Sequence, residues 1–121
     1  MELLSIVTYT LGKNALKLEV LFVFIVLDVI TGLIKAVINK EVQSGVMRTG
    51  LLKKVMEIIT VIVGCVLDAL MGTEYITISV LIFVIAMEGL SILENLGEYI
   101  ALPDFLKSIL ENLKDQGNKG E

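Results

Sequence analysis

The chain has 121 residues, of which 55% are hydrophobic, and its formal net charge is -4. This composition lies above the roughly 45 to 50% apolar content of soluble globular chains, so it indicates an integral membrane protein rather than a water-soluble domain. With no histidine and a single cysteine, Cys65, the sequence excludes nucleophilic triads and His-containing metal sites. We therefore expect no enzyme, no catalytic residue, no metal site and no cofactor.

Residues 1–14 place Leu3, Leu4, Val7 and Leu11 at roughly helical spacing. This pattern predicts a short interfacial helix at the N-terminus. A loosely ordered leader is the alternative, because terminal segments fray readily.

The first long apolar run covers residues 20–38, which is close to the roughly 20 residues that a helix needs to cross a bilayer. Asp28 lies near its centre, and the surrounding aliphatic residues outweigh the cost of inserting this acid. Lys35 and Gly32 share one side of the helix with Asp28. We predict a first membrane span over 20–38.

A basic connector follows over residues 39–54. The stretch 35–54 holds five of the ten basic residues and only one acid, Glu41. Basic residues near span ends accumulate on the cytoplasmic side, so the connector is predicted to be cytoplasmic, the N-terminus outside and the C-terminus inside. The residues expected to set topology and contact the membrane surface are Lys40, Arg48, Lys53 and Lys54.

Two further apolar runs follow, over residues 55–71 and 76–93, joined by the short polar link 72–75. Glu57 lies near the start of the second run and Asp68 near its end, and Glu88 lies in the last third of the third run. Each run is long enough to be interpreted as a span.

The C-terminal segment 94–121 contains Pro103 and many charges, so it cannot be another span. After Pro103 the apolar residues recur on one helical face, which predicts an amphipathic helix that ends at Gly117. The predicted fold class is an all-α integral membrane protein, with three transmembrane helices, a C-terminal amphipathic helix and a short N-terminal interfacial helix, all in one domain over 1–121.

The four acids in or at the edges of the runs are functional candidates, because ionisable groups in lipid are costly and tend to face a bundle interior or water. Two interpretations stay open. The acids pair within the bundle, for example Asp28 with Lys35, only to make it tolerable in lipid. Alternatively, their helix faces turn toward other copies of the chain and, after assembly, toward water. Glu57, Gly64 and Asp68 form one narrow polar stripe on the second helix.

Four ordered segments resemble the phage holin family, which includes the toxin-secretion holins of clostridia: LDVITGLIKAV, QSGVMRTGLLKK, MEGLSILEN and LPDFLKSILENLKDQ. The resemblance runs from about residue 27 to 116 and departs only where the aliphatic VIAM precedes Glu88 in place of an expected aromatic. The positions that carry it are Asp28, Gly32, Leu33, Lys35, Ser44, Gly50, Leu51, Lys53, Lys54, Glu88, Ser91, Glu94, Asn95 and Pro103.

This resemblance implies a small protein of the bacterial cytoplasmic (inner) membrane that oligomerises and opens lesions or pores. Its expected partners are the lipid bilayer, further copies of the chain, and an exported endolysin or toxin as cargo, with no nucleic acid. A small transporter or ion-channel subunit and a non-conducting membrane scaffold are the alternative functions. The residues expected to line a pore or a contact between subunits are Asp28, Gly32, Lys35, Glu57, Asp68, Glu88, Ser91 and Asn95.

Overall fold

The structure is a computed structural model that describes residues 2–119. Within this range the chain forms helices and no strands, so the all-α prediction is confirmed. The helices are α1 (Glu2–Lys13), α2 (Ala15–Ile38), α3 (Ser44–Met71), α4 (Tyr75–Gly97) and α5 (Asp104–Lys119).

Helices α2 and α4 run in the same direction, and α3 returns between them. Lys35 near the end of α2 pairs with Glu98, which directly follows α4. At the other end of the bundle, Asp68 near the end of α3 contacts Thr77 in the first turn of α4, so α3 and α4 are antiparallel. The three helices therefore form one up-down-up bundle.

The prediction of three helices that are each apolar enough to span a membrane is wrong in number, because within residues 2–119 two helices, α2 and α4, have the necessary length and composition. In α3 the final 18 residues, 54–71, contain Lys54, Glu57 and Asp68. Three charges within one span length outweigh much of the gain from the aliphatic residues around them.

Most of the basic connector is helical, since α3 begins at Ser44 and only residues 39–43 link it to α2. Lys40 adopts the left-handed conformation, with φ 56°. Around it, the N–H of Lys40 donates to the C=O of Val37, and the N–H of Glu41 donates to the C=O of Ala36. This is the Schellman arrangement, in which two carbonyls at the end of a helix gain hydrogen bonds, and it stops α2 sharply.

Asp68 organises the turn between α3 and α4. Gly72 closes α3 in a left-handed conformation, with φ 68°. The carboxylate of Asp68 then accepts hydrogen bonds from the N–H groups of Ile76 and Thr77, at 3.1 and 2.7 Å, and from the hydroxyls of Thr73 and Thr77. Because the first N–H groups of a helix lack partners within it, Asp68 acts as the cap of α4.

The buried core is small and lies along α4. Its members from the three bundle helices are Leu21, Val61, Val80, Leu81, Val84 and Ile85. Only Leu21 and Asp28 of α2 are buried, whereas about half of α4 is buried. The large exposed side chains over residues 20–38 of α2 and 55–71 of α3 are nonetheless apolar, which indicates lipid rather than water as their surroundings.

The N-terminal prediction is confirmed as a helix, α1, while its interfacial position stays a prediction. Asn14 separates α1 from α2, and its side chain donates to the C=O of Thr10. The ammonium of Lys13 pairs with the carboxylate of Glu74, which precedes α4. This ion pair joins the N-terminal helix to the α3–α4 turn.

Helix α5 folds back along α4 in the opposite direction. A Cβ added to Gly89 of α4 would lie 2.9 Å from the methyl carbons of Leu110, and one added to Gly117 would lie 2.7 Å from the Cβ of Phe83. The predicted helix end at Gly117 is wrong, because α5 continues to Lys119 and the glycine instead lets the two helices approach closely.

Candidate functional site

Three charged side chains from three different helices meet inside the bundle. The ammonium of Lys54 on α3 donates to both carboxyl oxygens of Glu88 on α4, at 2.7 Å each, and also to Oδ2 of Asp28 on α2. The exposed fractions of the three side chains are 16% for Lys54, 10% for Asp28 and 2% for Glu88. One cation therefore ties all three helices together.

The register of α3 explains why Lys54 points inward. Lys54, Glu57, Val61, Gly64 and Asp68 follow one another at spacings of three or four residues, so they share one face of the helix. Toward the C-terminal end of α3 this face touches α4 directly, since a Cβ on Gly64 would lie 3.6 Å from the Cα of Thr77. Lys54 therefore points toward Glu88 because it lies on the face of α3 that packs against α4.

Asp28 has a second set of partners on its other oxygen. The amide of Asn95 on α4 donates to Oδ1 of Asp28 at 3.1 Å and to the hydroxyl oxygen of Thr31 at 3.0 Å. The Thr31 hydroxyl in turn donates to the C=O of Leu27. These contacts orient the carboxylate of Asp28 and leave its Oδ2 for Lys54.

Glu57 lies three residues after Lys54 on the same face of α3. Its carboxyl is close to the carboxyl of Glu88. Within residues 2–119, its Oε2 is buried and receives no hydrogen bond. We call Asp28, Lys54, Glu57 and Glu88 the charged cluster; fully ionised, it would carry three negative charges and one positive charge, a net charge of -2.

The charged cluster lies near the middle of the bundle. Asp28 is 13 residues from the start of α2 and 10 residues from its end. At a rise of about 1.5 Å per residue, the cluster is about 15 Å from the end of α2 that meets the connector. In a bilayer with a hydrocarbon core of about 30 Å, a bundle centred on that core would hold the cluster near mid-depth.

Two clefts border the charged cluster. The connector cleft, with a volume of about 240 Å³, is lined by Asp28, Lys54 and Asn95 at its inner end and reaches Glu41 and Gln43 in the connector. The second cleft has a volume of about 370 Å³. It lies between α3 and α4 and is lined by Lys53, Glu57 and Thr60 on α3 and by Val80, Val84 and Met87 on α4.

The structure brings together five of the eight residues that the sequence suggested for a pore or a contact between subunits: Asp28, Gly32, Glu57, Glu88 and Asn95. Gly32 belongs to this group because a Cβ there would lie 3.6 Å from the amide nitrogen of Asn95.

The other three lie elsewhere. Lys35 pairs with Glu98 at 2.9 Å rather than with Asp28. Asp68 is buried in the turn between α3 and α4, and Ser91 is half-buried on α4.

Among the residues expected to set topology, Lys40, Arg48 and Lys53 are exposed, while Lys54 is part of the charged cluster. The sequence interpretation missed this inward role of Lys54 and the contribution of Thr31. The stripe that runs from Lys54 to Asp68 was the available signal for Lys54. For Thr31, the signal was its position three residues after Asp28, on the same side of α2.

Comparison with known proteins places these residues in a family context. The sequence profile of the Bacteriophage holin family matches residues 5–115, which confirms the resemblance seen in the sequence. The protein named "Probable holin" of Bacillus phage phi105 is 36% identical over 98 residues, covering 80% of this chain and 73% of that protein.

Two proteins of Clostridium perfringens that are named only as uncharacterized are also similar. They are 32% and 34% identical, and each alignment covers more than nine tenths of this chain and 87% of the relative. No solved structure matches.

Proposed function

The chain belongs to the bacteriophage holin family, and from this membership we propose that it acts as a holin: a non-enzymatic membrane protein whose copies open lesions in the bacterial cytoplasmic membrane. The observation that carries the proposal is the match of the family profile over residues 5–115. The two long apolar helices α2 and α4 support a position in the membrane.

In this proposal α3 also crosses the membrane. Since α2 and α4 run in the same direction, the helix that joins them must return through the same layer. The exposed face of α3 supports this crossing, because its charged residues Glu57 and Asp68 point inward. Its exposed large side chains over 55–71 are all apolar: Val55, Met56, Ile58, Ile59, Ile62, Val63, Val66, Leu67, Leu70 and Met71.

We propose the topology that the sequence indicates, with the connector in the cytoplasm, the N-terminus outside and the C-terminus inside. Its support is the excess of basic residues at the connector end, from Lys35 to Lys54, set against the link 72–75, which contains none. A reporter that is active only outside the cytoplasm, fused after the last residue, should be inactive. Activity of that fusion would contradict the topology.

A lesion requires several copies, because one bundle of this size encloses no passage for a folded protein. Within a single copy, Lys54 pairs with both Asp28 and Glu88, which lowers the cost of holding these two acids in lipid. We propose that these side chains exchange their partners, or gain water, when copies assemble. Asp28, Glu57, Glu88 and Asn95 then face the passage or the neighbouring subunit.

The cargo of such a lesion is an endolysin or a toxin. Expression of the chain in bacteria that contain a folded cytoplasmic reporter enzyme tests the function. A holin releases the folded enzyme abruptly after a delay, whereas leakage of ions alone, or no leakage, contradicts the proposal. Asp28→Asn and Glu88→Gln should shift the time of release, and Glu94→Gln, on the exposed face of α4, should leave it unchanged.

A further inference from the structure

We propose that α5 has two positions. It docks along α4 where water reaches its outer face, so that it lines the passage of an open lesion, and it lies flat on the cytoplasmic membrane surface in a copy surrounded by lipid. This inference rests on the proposed holin function, because the lesion is the source of the water. It follows from the depth at which α5 packs, from its two faces, and from the link that joins it to α4.

In the proposed membrane position, α5 packs along the part of α4 that crosses the hydrocarbon core. Leu110 of α5 meets α4 at Gly89, next to Glu88 of the charged cluster, so this contact lies near the middle of the bundle. Gly117 is buried against Phe83, between one and two helical turns further along α4. The docked α5 therefore lies at a depth where a single copy is surrounded by acyl chains.

The outer face of α5 does not suit that depth. Its charged residues Lys107, Glu111 and Asp115 are exposed and recur every four residues, so they lie on one side of the helix. Each of these charges is costly to hold in lipid. A passage for a folded protein, by contrast, needs a wall that water can wet. The docked α5 supplies such a wall, whereas the large exposed side chains over 20–38 of α2 and 55–71 of α3 are apolar.

Docking along α4 is favourable in water and unfavourable in lipid. In water, the contact removes apolar surface of Leu106, Leu110 and Leu113, which are half-buried on the side of α5 toward α4. In lipid this gain disappears, because acyl chains are as apolar as leucine. The cost of the charges on the outer face remains. In a copy surrounded by lipid, α5 therefore leaves α4.

The apolar face of α5 is wider than its contact with α4. Phe105 and Ile109 lie beside the half-buried leucines, but their side chains are 62% and 51% exposed in the docked position. A helix that lies in the membrane surface buries a broad apolar face at the boundary of the acyl chains and keeps its charges among the headgroups. The surface position therefore covers the two side chains that docking leaves exposed.

The link between α4 and α5 allows this movement. The end of α4 is held on α2, because Glu98 pairs with Lys35 and the hydroxyl of Tyr99 donates to Oδ1 of Asn39 at 2.6 Å. Residues 101–103, which follow, have no regular secondary structure. Helix α5 can therefore turn at 101–103 while the bundle stays intact. In the proposed topology this end of α4 is cytoplasmic, so the surface that α5 reaches is the cytoplasmic one.

The test detects docking by a disulfide bond in the full-length chain with Cys65→Ala. A Cβ on Gly89 would lie 2.9 Å from both methyl carbons of Leu110. The pair Gly89→Cys and Leu110→Cys can therefore be bridged in the docked position alone, since a disulfide needs Cα atoms within about 7 Å. The control pair Gly64→Cys and Val80→Cys joins α3 to α4, where the added Cβ would lie 3.6 Å from a methyl carbon of Val80.

Each variant is reconstituted in vesicles that contain a folded enzyme, at a low and a high ratio of protein to lipid, and treated with a membrane-permeant oxidant. We expect the bridge between α4 and α5 to form at the ratio where the enzyme is released and to be largely absent where the enzyme is retained. The control pair should be bridged at both ratios.

Two matched triple variants test the outer face. The leucine variant combines Lys107→Leu, Glu111→Leu and Asp115→Leu, which removes the reason for α5 to leave α4 in lipid. The glutamine variant combines Lys107→Gln, Glu111→Gln and Asp115→Gln, which changes the charge equally but keeps the face polar. In the leucine variant the bridge should form at both ratios and release of the enzyme should be lost. The glutamine variant should behave like the original chain in both measurements.

Two results would overturn the two positions of α5 while leaving the holin function intact. One is equal bridging at both ratios in a chain that releases the enzyme at the high ratio. The other is equal release by the leucine and glutamine variants. If the original chain released no enzyme at any ratio, the holin function would be contradicted, and with it the passage that α5 lines.

Discussion

The ammonium of Lys54 on α3 lies 2.7 Å from each carboxyl oxygen of Glu88 on α4, so a base and an acid 34 residues apart in the chain form a two-oxygen contact inside the bundle. Because Lys54 also holds Asp28, removing this one cation leaves two buried carboxylates without their counter-charge.

Replacing Lys54 with methionine should therefore destabilise the bundle strongly. Breaking a buried ion pair by removing one partner typically costs about 3 to 5 kcal/mol. Chemical unfolding in detergent micelles measures the loss of unfolding free energy. The adjacent Lys53→Met is the matched control: Lys53 is exposed, so its effect should stay within about 0.5 kcal/mol. Equal losses for the two variants would show that the contacts of Lys54 do not stabilise the fold.

Asp68→Ala should weaken the start of α4. The substitution removes the acceptor for the N–H groups of Ile76 and Thr77, and an unsatisfied buried donor costs about 1 to 3 kcal/mol. Hydrogen exchange at these two amides should accelerate more than exchange in the middle of α4. Thr73→Val removes only one of the four hydrogen bonds and should have a clearly smaller effect. Unchanged exchange at Ile76 and Thr77 in Asp68→Ala would argue against the cap.

Gly117→Ala should loosen α5 from α4. The added methyl group would lie 2.7 Å from the Cβ of Phe83 and 2.9 Å from its Cα and backbone nitrogen, and a backbone cannot move aside as a flexible side chain can. Amide exchange throughout α5 should accelerate. Gly50→Ala is the control, because no atom lies within 4 Å of its added carbon. That change should stabilise α3 by up to about 1 kcal/mol through helix propensity. If α5 kept its protection in Gly117→Ala, the close approach would not be needed for packing.

The ion pair at the connector end predicts a titration. A hydrogen bond from Lys35 holds the pKa of Glu98 below its ordinary value. A lowered folded-state pKa means that the pair contributes stability above the unfolded pKa of Glu98 and loses it as the pH falls through the folded pKa. Carboxyl NMR on the protein in micelles should show Glu98 titrating below the ordinary range, and Lys35→Gln should move its pKa upward. Identical titration in both proteins would mean that the pair does not form in solution.

The helical class and the amphipathic C-terminal helix could be predicted from sequence because both follow from local apolar periodicity. Asp28, Glu57 and Glu88, which the structure brings together, were singled out from sequence because acids stand out within aliphatic runs. The lysine that pairs with Asp28 could not be identified from sequence. Lys35 and Lys54 were both in reach of Asp28, and only the antiparallel return of α3 decides that Lys54 faces it.

Local sequence patterns were also insufficient to predict how many helices are apolar enough to span a membrane. A run such as 55–71 is judged by its own composition, whereas the cost of its charges depends on whether neighbouring helices pair with them. The end of α5 was mispredicted for a similar reason, because the role of Gly117 depends on a residue of another helix. Glycine often ends a helix, but here it is retained inside α5 because Phe83 of another helix occupies the space of a side chain.

The packing of α5 along α4 gives the bundle two chemically different sides, one formed by α2 and the other by α5. The exposed side chains of α2 in its middle, including Phe22, Val26 and Ile30, are apolar and suit acyl chains. The outer face of α5 instead carries Lys107, Glu111 and Asp115, which lipid would penalise at that depth. Within one copy, the exposed flank of α2 is therefore apolar and the exposed flank of α5 is charged. If copies assemble as proposed, these two flanks would not be interchangeable, because lipid suits the first and water suits the second.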